Sequence, residues 1–378
     1  MRVLFLYKDY HPVLGGIENN IRLLAQGLRA EGVDARVLVT NTGPTTVRQT
    51  IDGVPVTKTG RQAHILSTPI SFPYFTELPR AVAEADLVHI HAPFPPAELA
   101  QLLLGRKKPF VITYHSDIVR QKLSGKLYAP LLRLVLQRAT LVAVSSPAYV
   151  ESSPFLQRIR HKCRLVHFGI DLGRFAKTGQ IQASAGRLRK RFGGRPLLLF
   201  IGRLRHYKGV DVLIRAMRSV DDAHLLIVGD GPMRRDLQKL AGTLQLADRI
   251  SFLGECTEPE ALAARYAAQL FLLPSTNRAE ALGIVQLEAM ACRLPVICTE
   301  LGTGTSYVNR HEETGLVVPP NDFRALSSAI NRLLADANLR SQMGAAGAKR
   351  VRDEFTLPMM IRRTVSLYNE ALSVLPQC

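Results

Sequence analysis

The sequence predicts an α/β protein built as two doubly wound domains, each a largely parallel sheet with helices on both faces, facing one another across a cleft. Short β-branched and Leu-rich runs alternate with stretches of helical period through both halves of the chain. The alternation pauses once, just past position 170. The chain has 378 residues, 47% hydrophobic and 21% charged, enough for two or three domains with proper cores. Gly 27 and Pro 22 leave no room for a collagen-like or disordered chain.

In the first half, strands are expected at 3–6, 35–40, 87–91, 110–114 and 141–144. Helices are expected at 17–31, 76–84 and 98–104 between them, giving repeated β-α-β units. The pause is Phe168-Gly169-Ile170-Asp171-Leu172-Gly173-Arg174-Phe175, followed by a polar, small-residue stretch over 177–186. We read 173–195 as a linker between a first domain, 1–172, and a second, 196–355. The second half repeats the pattern. Its strands fall at 197–201, 224–228, 250–253, 270–273, 295–298 and 316–318, and its helices at 210–220, 232–243, 259–268, 284–292, about 322–335 and about 338–353. A last helix at about 357–373 is too long to be a frayed tail, and the segment 356–378 is expected to cross back to the first domain.

The longest apolar runs, such as 197–201, fall far short of the ~18–20 residues of a membrane span. Met1 to Lys8 is charged again by position 8, unlike an export signal, so a cytoplasmic location is expected. Five cysteines without a C-x-x-C pair fit neither a disulfide framework nor a zinc site.

The formal charge of +18 is concentrated. Residues 101–210 hold 22 Lys and Arg against Asp117, Glu151 and Asp171 alone, whereas the segments on either side are close to neutral. Such an excess implies an anionic partner: nucleic acid, an anionic membrane surface or a phosphorylated substrate. Within it, 118–139 reads as an amphipathic helix. Leu123, Leu127, Leu131, Leu132, Leu134, Val135 and Leu136 alternate with Arg120, Lys122, Lys126, Arg133 and Arg138. That pattern suits anionic headgroups and equally suits packing on a sheet. No recognition motif with interleaved aromatics accompanies the charge, so nucleic acid is not expected.

Four segments carry chemistry. After the first strand, Gly15-Gly16 opens a helix, where backbone N–H groups can approach a phosphate; the alternative is a tight turn needing positive φ. It is not a G-x-G-x-x-G, so no dinucleotide is expected. The strand at 197–201 runs into Gly202-Arg203-Leu204-Arg205-His206-Tyr207-Lys208-Gly209, placing Arg203 and Lys208 at the carboxyl edge where such sheets bind ligands. No acid lies between Asp171 and Asp211, so a ligand diphosphate is their obvious counterion, with a distant carboxylate as the alternative.

The most informative segment runs from Pro274 to Ala291. Glu280 falls in the loop before a helix that begins near Gly283, and Glu288 more than one turn inside that helix. Free N–H groups around Leu282, Gly283 and Ile284 are offered to an anion. Carboxylates accept hydrogen bonds from sugar hydroxyls, although Glu288 alone could be a surface residue. Finally, Thr113-Tyr114-His115-Ser116-Asp117 ends a strand at the expected cleft. The chain contains no Asp-x-Asp, the short acidic motif that holds a divalent metal on a nucleotide.

Glu280 and Glu288 form an E-x7-E pair. Together with Gly15-Gly16, Arg203 with Lys208, Val228-Gly229-Asp230-Gly231-Pro232 and Thr314-Gly315-Leu316-Val317-Val318-Pro319-Pro320, they make the chain resemble a retaining GT-B glycosyltransferase of family 4, the "group 1" family, from residue 1 to about 373. The resemblance implies two Rossmann-like domains. It implies that Glu288 holds the nucleotide ribose, Glu280 the donor sugar hydroxyls, Arg203 and Lys208 the diphosphate, that Gly16 offers backbone N–H to it, and that His115 sits beside the donor sugar.

Many relatives carry an acidic residue after a Gly-Gly before the Gly-Leu-Val-Pro-Pro segment, where this chain has Thr303-Gly304-Thr305-Ser306-Tyr307. That segment and Tyr114-His115-Ser116-Asp117-Ile118-Val119-Arg120-Gln121-Lys122 are similar to mannosyl- and D-rhamnosyltransferases of O-antigen assembly. The resemblance implies a nucleotide-sugar donor, GDP-mannose or GDP-D-rhamnose, and a polyprenyl-diphosphate-linked saccharide acceptor. The expected reaction is metal-independent, without a cofactor, at the inner face of the cytoplasmic membrane. Rival readings are a sugar-nucleotide epimerase or phosphorylase of the same architecture, a UDP-sugar-dependent transferase, and a non-catalytic membrane adaptor.

Overall fold

The computed structural model describes residues 1–13, 15–65, 68–105, 108–116 and 122–374, with the side chains of 122–127 outside the description. The chain divides into two units, residues 1–169 with the segment from 357 onward, and residues 170–356.

Unit 1 contains strands β1 (Arg2–Leu6), β2 (Asp34–Thr40), β3 (Val47–Ile51), β4 (Val54–Thr59), β5 (Ala63–Ile65), β6 (Thr68–Ile70), β7 (Leu87–Ala92), β8 (Phe110–Tyr114), β9 (Leu141–Val144) and β10 (Cys163–Leu165). Its helices are α1 (Gly16–Ala30), α2 (Phe72–Glu84), α3 (Pro95–Leu104), α4 (Lys122–Arg138) and α5 (Pro147–Ser152). The main sheet has the order β10-β9-β8-β7-β1-β2-β4-β3. Its pairs are parallel except β3 with β4. The hairpins β3–β4 and β5–β6 fall in 47–70, a stretch for which the sequence gives no element.

Helix α1 begins with an acid, Glu18, in its first turn and ends with Arg29 in its last, matching the helix dipole. Ile21, Leu24, Ala25 and Leu28 are buried at helical spacing, each large side chain contributing about 1.5–3 kcal/mol. In register, Leu6 faces Leu38 and Ile90, and Ala92 faces Tyr114. The carboxyl ends of β1, β7 and β8 therefore form one edge.

The amphipathic stretch 118–139 splits. Its residues 118–121 lie outside the described residues, and α4 begins at Lys122. From Tyr128 on, its apolar side is buried: Leu132, Val135 and Leu136 are within 3% of full burial. Arg133, Leu134 and Arg138 remain exposed. Among the described side chains, Leu132, Val135 and Leu136 of the stripe are thus spent on internal packing, while Leu134 stays exposed.

Unit 2 contains α6 (Gly179–Arg191), β11 (Leu197–Ile201), α7 (Val210–Ala216), β12 (His224–Val228), α8 (Arg234–Thr243), β13 (Ile250–Gly254), α9 (Glu258–Ala267), β14 (Leu270–Leu273), α10 (Ile284–Ala291), β15 (Val296–Thr299), α11 (Gly304–Val308), β16 (Gly315–Val318), α12 (Phe323–Ala335) and α13 (Ala337–Glu354). The strands lie parallel in the order β13-β12-β11-β14-β15-β16. A buried core of Leu198, Phe200, Leu225, Leu272, Ile330 and their neighbours fills the sheet face.

The expected linker 173–195 is a correction. Most of it is α6, capped where the Thr178 hydroxyl accepts from the Ile181 N–H, and it belongs to unit 2. Ile181 packs with Leu262 and Cys292, and Arg189 donates to the Tyr266 carbonyl.

The last helix, α14 (Leu357–Ser373), belongs to unit 1. Ile361 sits where a side chain at Gly27 of α1 would be, Glu370 pairs with Arg164, and the Tyr368 hydroxyl lies 2.6 Å from His89 Nδ1. Among the described residues no helix is long and apolar enough to cross a membrane, and Cys163, Cys256, Cys292 and Cys298 are free thiols.

Candidate active site

The loop after β11 is held in place by two others. Gly202 N–H donates to the Val228 carbonyl and Leu204 N–H to the Asp230 carbonyl. A Cβ on Gly229 would lie 2.2 Å from the Gly202 oxygen, and one on Gly231 2.5 Å from the Leu204 oxygen. On the other side, Thr276 N–H donates to the Tyr207 carbonyl. Gly209 adopts φ +66° against the Pro274 carbonyl, where a Cβ would be 2.0 Å from the oxygen. The glycines are what allow three strand ends to crowd together, and they deliver Lys208 to the loop after β14.

There Lys208 Nζ meets Glu280 Oε2 at 2.6 Å, and Ser275 Oγ donates to the same oxygen at 2.8 Å. Both charged side chains are about nine-tenths buried. Burial works against the ammonium, but the adjacent carboxylate outweighs it, so the Lys208 pKa lies above its ordinary value. The countercharge of Lys208 in the free protein is therefore a carboxylate 72 residues away in sequence, where the sequence pointed first to a ligand diphosphate.

Arg203 is exposed and has no hydrogen-bond or ion-pair partner among the described residues. The Tyr207 hydroxyl, its pKa raised chiefly by burial, feels the charges of Lys208, Glu280, Arg205 and Arg203 together. Of the two expected diphosphate ligands, Lys208 lies over the Tyr207 ring, 5.3 Å from its centroid.

The segment 302–309 clamps the Glu280 loop from behind. Thr303 Oγ1 donates to the Glu280 carbonyl at 2.8 Å, Gly304 N–H to the Ala281 carbonyl at 2.6 Å, and Arg278 to the Gly302 carbonyl at 3.0 Å. Tyr307 lies under the Arg350 guanidinium, 5.4 Å from its ring centroid. Gly283 caps α10 in the left-handed region, φ +71°, and a Cβ there would strike Leu273. The N–H groups of Ile284 and Val285 at the helix start lack intrahelical partners by construction. Leu282 and Gly283 are buried and Ile284 half-buried. Glu288 lies further along α10 and is ion-paired with the buried Arg265 of α9. Of the four groups expected to share a ligand, the structure bonds Lys208 to Glu280, leaves Arg203 exposed on the same loop as Lys208, and ties Glu288 to a separate partner.

In unit 1, Gly15 caps α1 with extended φ, −175°, so the glycine pair does not serve a positive-φ turn. The Glu18 carboxylate folds back over it: a Cβ on Gly15 would lie 2.0 Å from Glu18 Oε2. Burial raises the Glu18 pKa, opposed by its own backbone N–H and Lys8. The place expected for a phosphate beside Gly15 and Gly16 is faced by an acid.

His115 follows β8 directly and is buried. Its Nε2 lies 2.8 Å from His91 Nδ1, and its ring stacks on Phe168. Burial, with Lys8 adding, pushes its pKa down to about 3, so it is a neutral imidazole at physiological pH. Sequence reasoning missed Glu18, His91, Arg265 and Ser275. Glu18 and Ser275 lie within or beside motif segments; His91 and Arg265 become visible only through strand register and through contacts between helices.

Comparison with known proteins places this arrangement. The model of glycosyl transferases group 1 matches residues 187–350, and that of the glycosyl transferase 4-like domain matches residues 15–169. The chain belongs to the group 1 family of GT-B glycosyltransferases, enzymes that transfer a sugar from a nucleotide-sugar donor. It is 36% identical over 360 residues to D-rhamnosyltransferase WbpZ of Pseudomonas aeruginosa, covering 94% of this chain and 92% of that protein. It is 32% identical over 375 residues to O-antigen chain mannosyltransferase C of Escherichia coli, covering 98% and 99%. Among solved structures it is similar to sucrose-phosphate synthase from Thermosynechococcus elongatus, with TM-score 0.80, 25% identity and coverage of 99% and 100%. It also resembles Anabaena HepE in complex with UDP, with TM-score 0.78, 20% identity and coverage of 98% and 100%.

Proposed function

We propose that the chain transfers a hexose, mannose or D-rhamnose, from a GDP-linked donor to a lipid-diphosphate-linked saccharide during O-antigen assembly. The transfer retains the donor's anomeric configuration and needs no metal ion. The buried Lys208–Glu280 pair at the carboxyl ends of β11 and β14 carries this reading. Full-length likeness to a named D-rhamnosyltransferase and a named O-antigen mannosyltransferase supports the choice of sugar.

On this reading, exposed Arg203 takes the diphosphate first. Lys208 then divides its charge between Glu280 and the phosphate oxygens, stabilising the negative charge that develops as the glycosidic bond breaks. Glu280 is left able to accept hydrogen bonds from donor sugar hydroxyls, Leu282, Gly283 and Ile284 offer backbone N–H groups, and Glu288 holds the ribose. Gly15 and Gly16 present N–H groups once Glu18 turns aside, and His115 contributes a neutral hydrogen bond. The sequence offers positive side chains and no Asp-x-Asp, which favours charge neutralisation by protein over metal. Exposed Leu99 and Leu103 on α3 and Leu134 on α4, with Arg133 and Arg138, suit an anionic membrane surface holding the acceptor.

The test is a donor panel of GDP-mannose, GDP-D-rhamnose, UDP-glucose and UDP-GlcNAc against a synthetic GlcNAc-diphosphate-lipid, with and without EDTA. NMR of the product reads the linkage. The expected result is transfer from a GDP-sugar with retained configuration, unaffected by EDTA. Transfer from UDP-sugars alone, an inverted linkage or loss of activity in EDTA would each overturn its part of the reading.

A further inference from the structure

In unit 1, His91 and His115 form a pair whose hydrogen bonding is incomplete. His91 lies inside β7, opposite Thr113 of β8, and His115 lies just past the end of β8. The two rings are tilted by only 21°, with centroids 5.0 Å apart and one nitrogen of each at 2.8 Å. His91 also stacks on His89, centroids 4.5 Å apart, and His115 on Phe168, 5.4 Å apart, so neither ring is free to turn. His89 is itself fixed, with Nε2 2.7 Å from Thr113 Oγ1 and Nδ1 2.6 Å from the Tyr368 hydroxyl. Burial holds both rings of the pair neutral.

Two neutral imidazoles carry two ring protons on four nitrogens. One proton lies between the rings. The second must sit on His115 Nδ1 or on His91 Nε2, and among the described residues both atoms are buried without a partner. A buried N–H with nothing to donate to is avoided more strongly than a bare lone pair. His91 is wholly enclosed in the strand, whereas His115 stands at the carboxyl edge of the sheet, where ligands of such folds bind. The proton is therefore best placed on His115, where a ligand oxygen can meet it.

We propose that His91 is a positioning residue: its Nδ1–H donates to His115 Nε2 and fixes His115 as the Nδ1–H tautomer, which then donates to an oxygen of the bound sugar substrate. The inference rests on the transferase reading of His115 given above, and it adds a residue that no motif of the sequence marks.

The experiment compares His91→Phe, which keeps a ring but has no donor, with His91→Asn, whose amide N–H can take the place of Nδ1–H, and with His115→Ala. Thermal melts check the fold, and long-range ¹H–¹⁵N spectra read the His115 tautomer. We expect an Nδ1–H tautomer for His115 in the unaltered protein. His91→Phe should lose that signature and about 10- to 100-fold in kcat with donor KM unchanged, and His91→Asn should recover most of both. If His115→Ala is as active as the unaltered protein, the transferase role of His115 fails. If His115→Ala is inactive while folded His91→Phe keeps full kcat and the same tautomer, the positioning role alone fails. Should His91→Phe not fold, an Nε2–H tautomer in the unaltered protein, or a His91→Asn variant with a changed tautomer, overturns it.

Discussion

Lys208 and Glu280 depend on each other. Each is an ion taken out of water, and the pair is tolerated because the partner and the Ser275 hydroxyl satisfy it. Removing one partner leaves an uncompensated buried charge. Lys208→Met should destabilise the fold by about 3–5 kcal/mol in denaturant melts, and Lys208→Met with Glu280→Gln should recover much of that. Activity should behave differently: kcat should fall by about 10²–10³-fold in the single variant and stay low in the double one. A double variant that regained both stability and turnover would make the pair purely structural.

The central strands β1, β2, β7, β8 and β9 of unit 1, the strands of unit 2 and most helices were legible because apolar runs and helical periods coincide with real faces, as in α1, where Ile21, Leu24 and Leu28 point inward, whereas β3 to β6 and β10 were not. Strand β3 was missed because Val47, Arg48, Gln49 and Thr50 are all exposed on the sheet edge and show no alternation. Helix α6 was mistaken for a linker because Ile181 and Ala185 are its only buried residues. Of the site, the glycine loops and E-x7-E were readable. The Lys208–Glu280 bond and the histidine cluster were not, since each joins residues from different loops or strands.

That cluster, spanning β7 and β8, also sets a pH response. Burial lowers His89 and His115 to about 3 and His91 well below its usual value. Between about pH 6.5 and 3 the unfolded chain binds protons that the folded chain refuses, so these histidines' contribution is complete above the unfolded pKa and is lost as pH falls. Each therefore weakens the fold as pH falls through that window. Glu98, bonded to Tyr128 Oη and the Phe94 N–H, acts oppositely. Burial raises it to about 7, so its contribution is present below the unfolded carboxyl value and is lost as pH rises towards 7. Thermal melts should therefore fall steeply below pH 6, and Glu98→Gln should raise the relative stability at pH 7 to 8 over that at pH 5.

At the scale of the whole molecule, the positive charge is gathered in 101–210, and exposed Arg133, Arg138, Arg158 and Arg160 display part of it on unit 1. Sedimentation with anionic vesicles should be strong at low salt and should weaken as the Debye length shrinks to about 8 Å near 0.15 M. Arg133→Glu with Arg138→Glu should reduce binding while leaving transfer to a soluble acceptor analogue intact; indifference to anionic lipid at low salt would remove the membrane reading. Finally, unit 1 is interrupted in sequence by the whole of unit 2. A ribosome delivers α14 only after the whole of unit 2, so His89 and the Gly27 face of α1 stay uncovered until then. The nascent amino-terminal half must wait, exposed to chaperones, while the later-made half has already closed its own core.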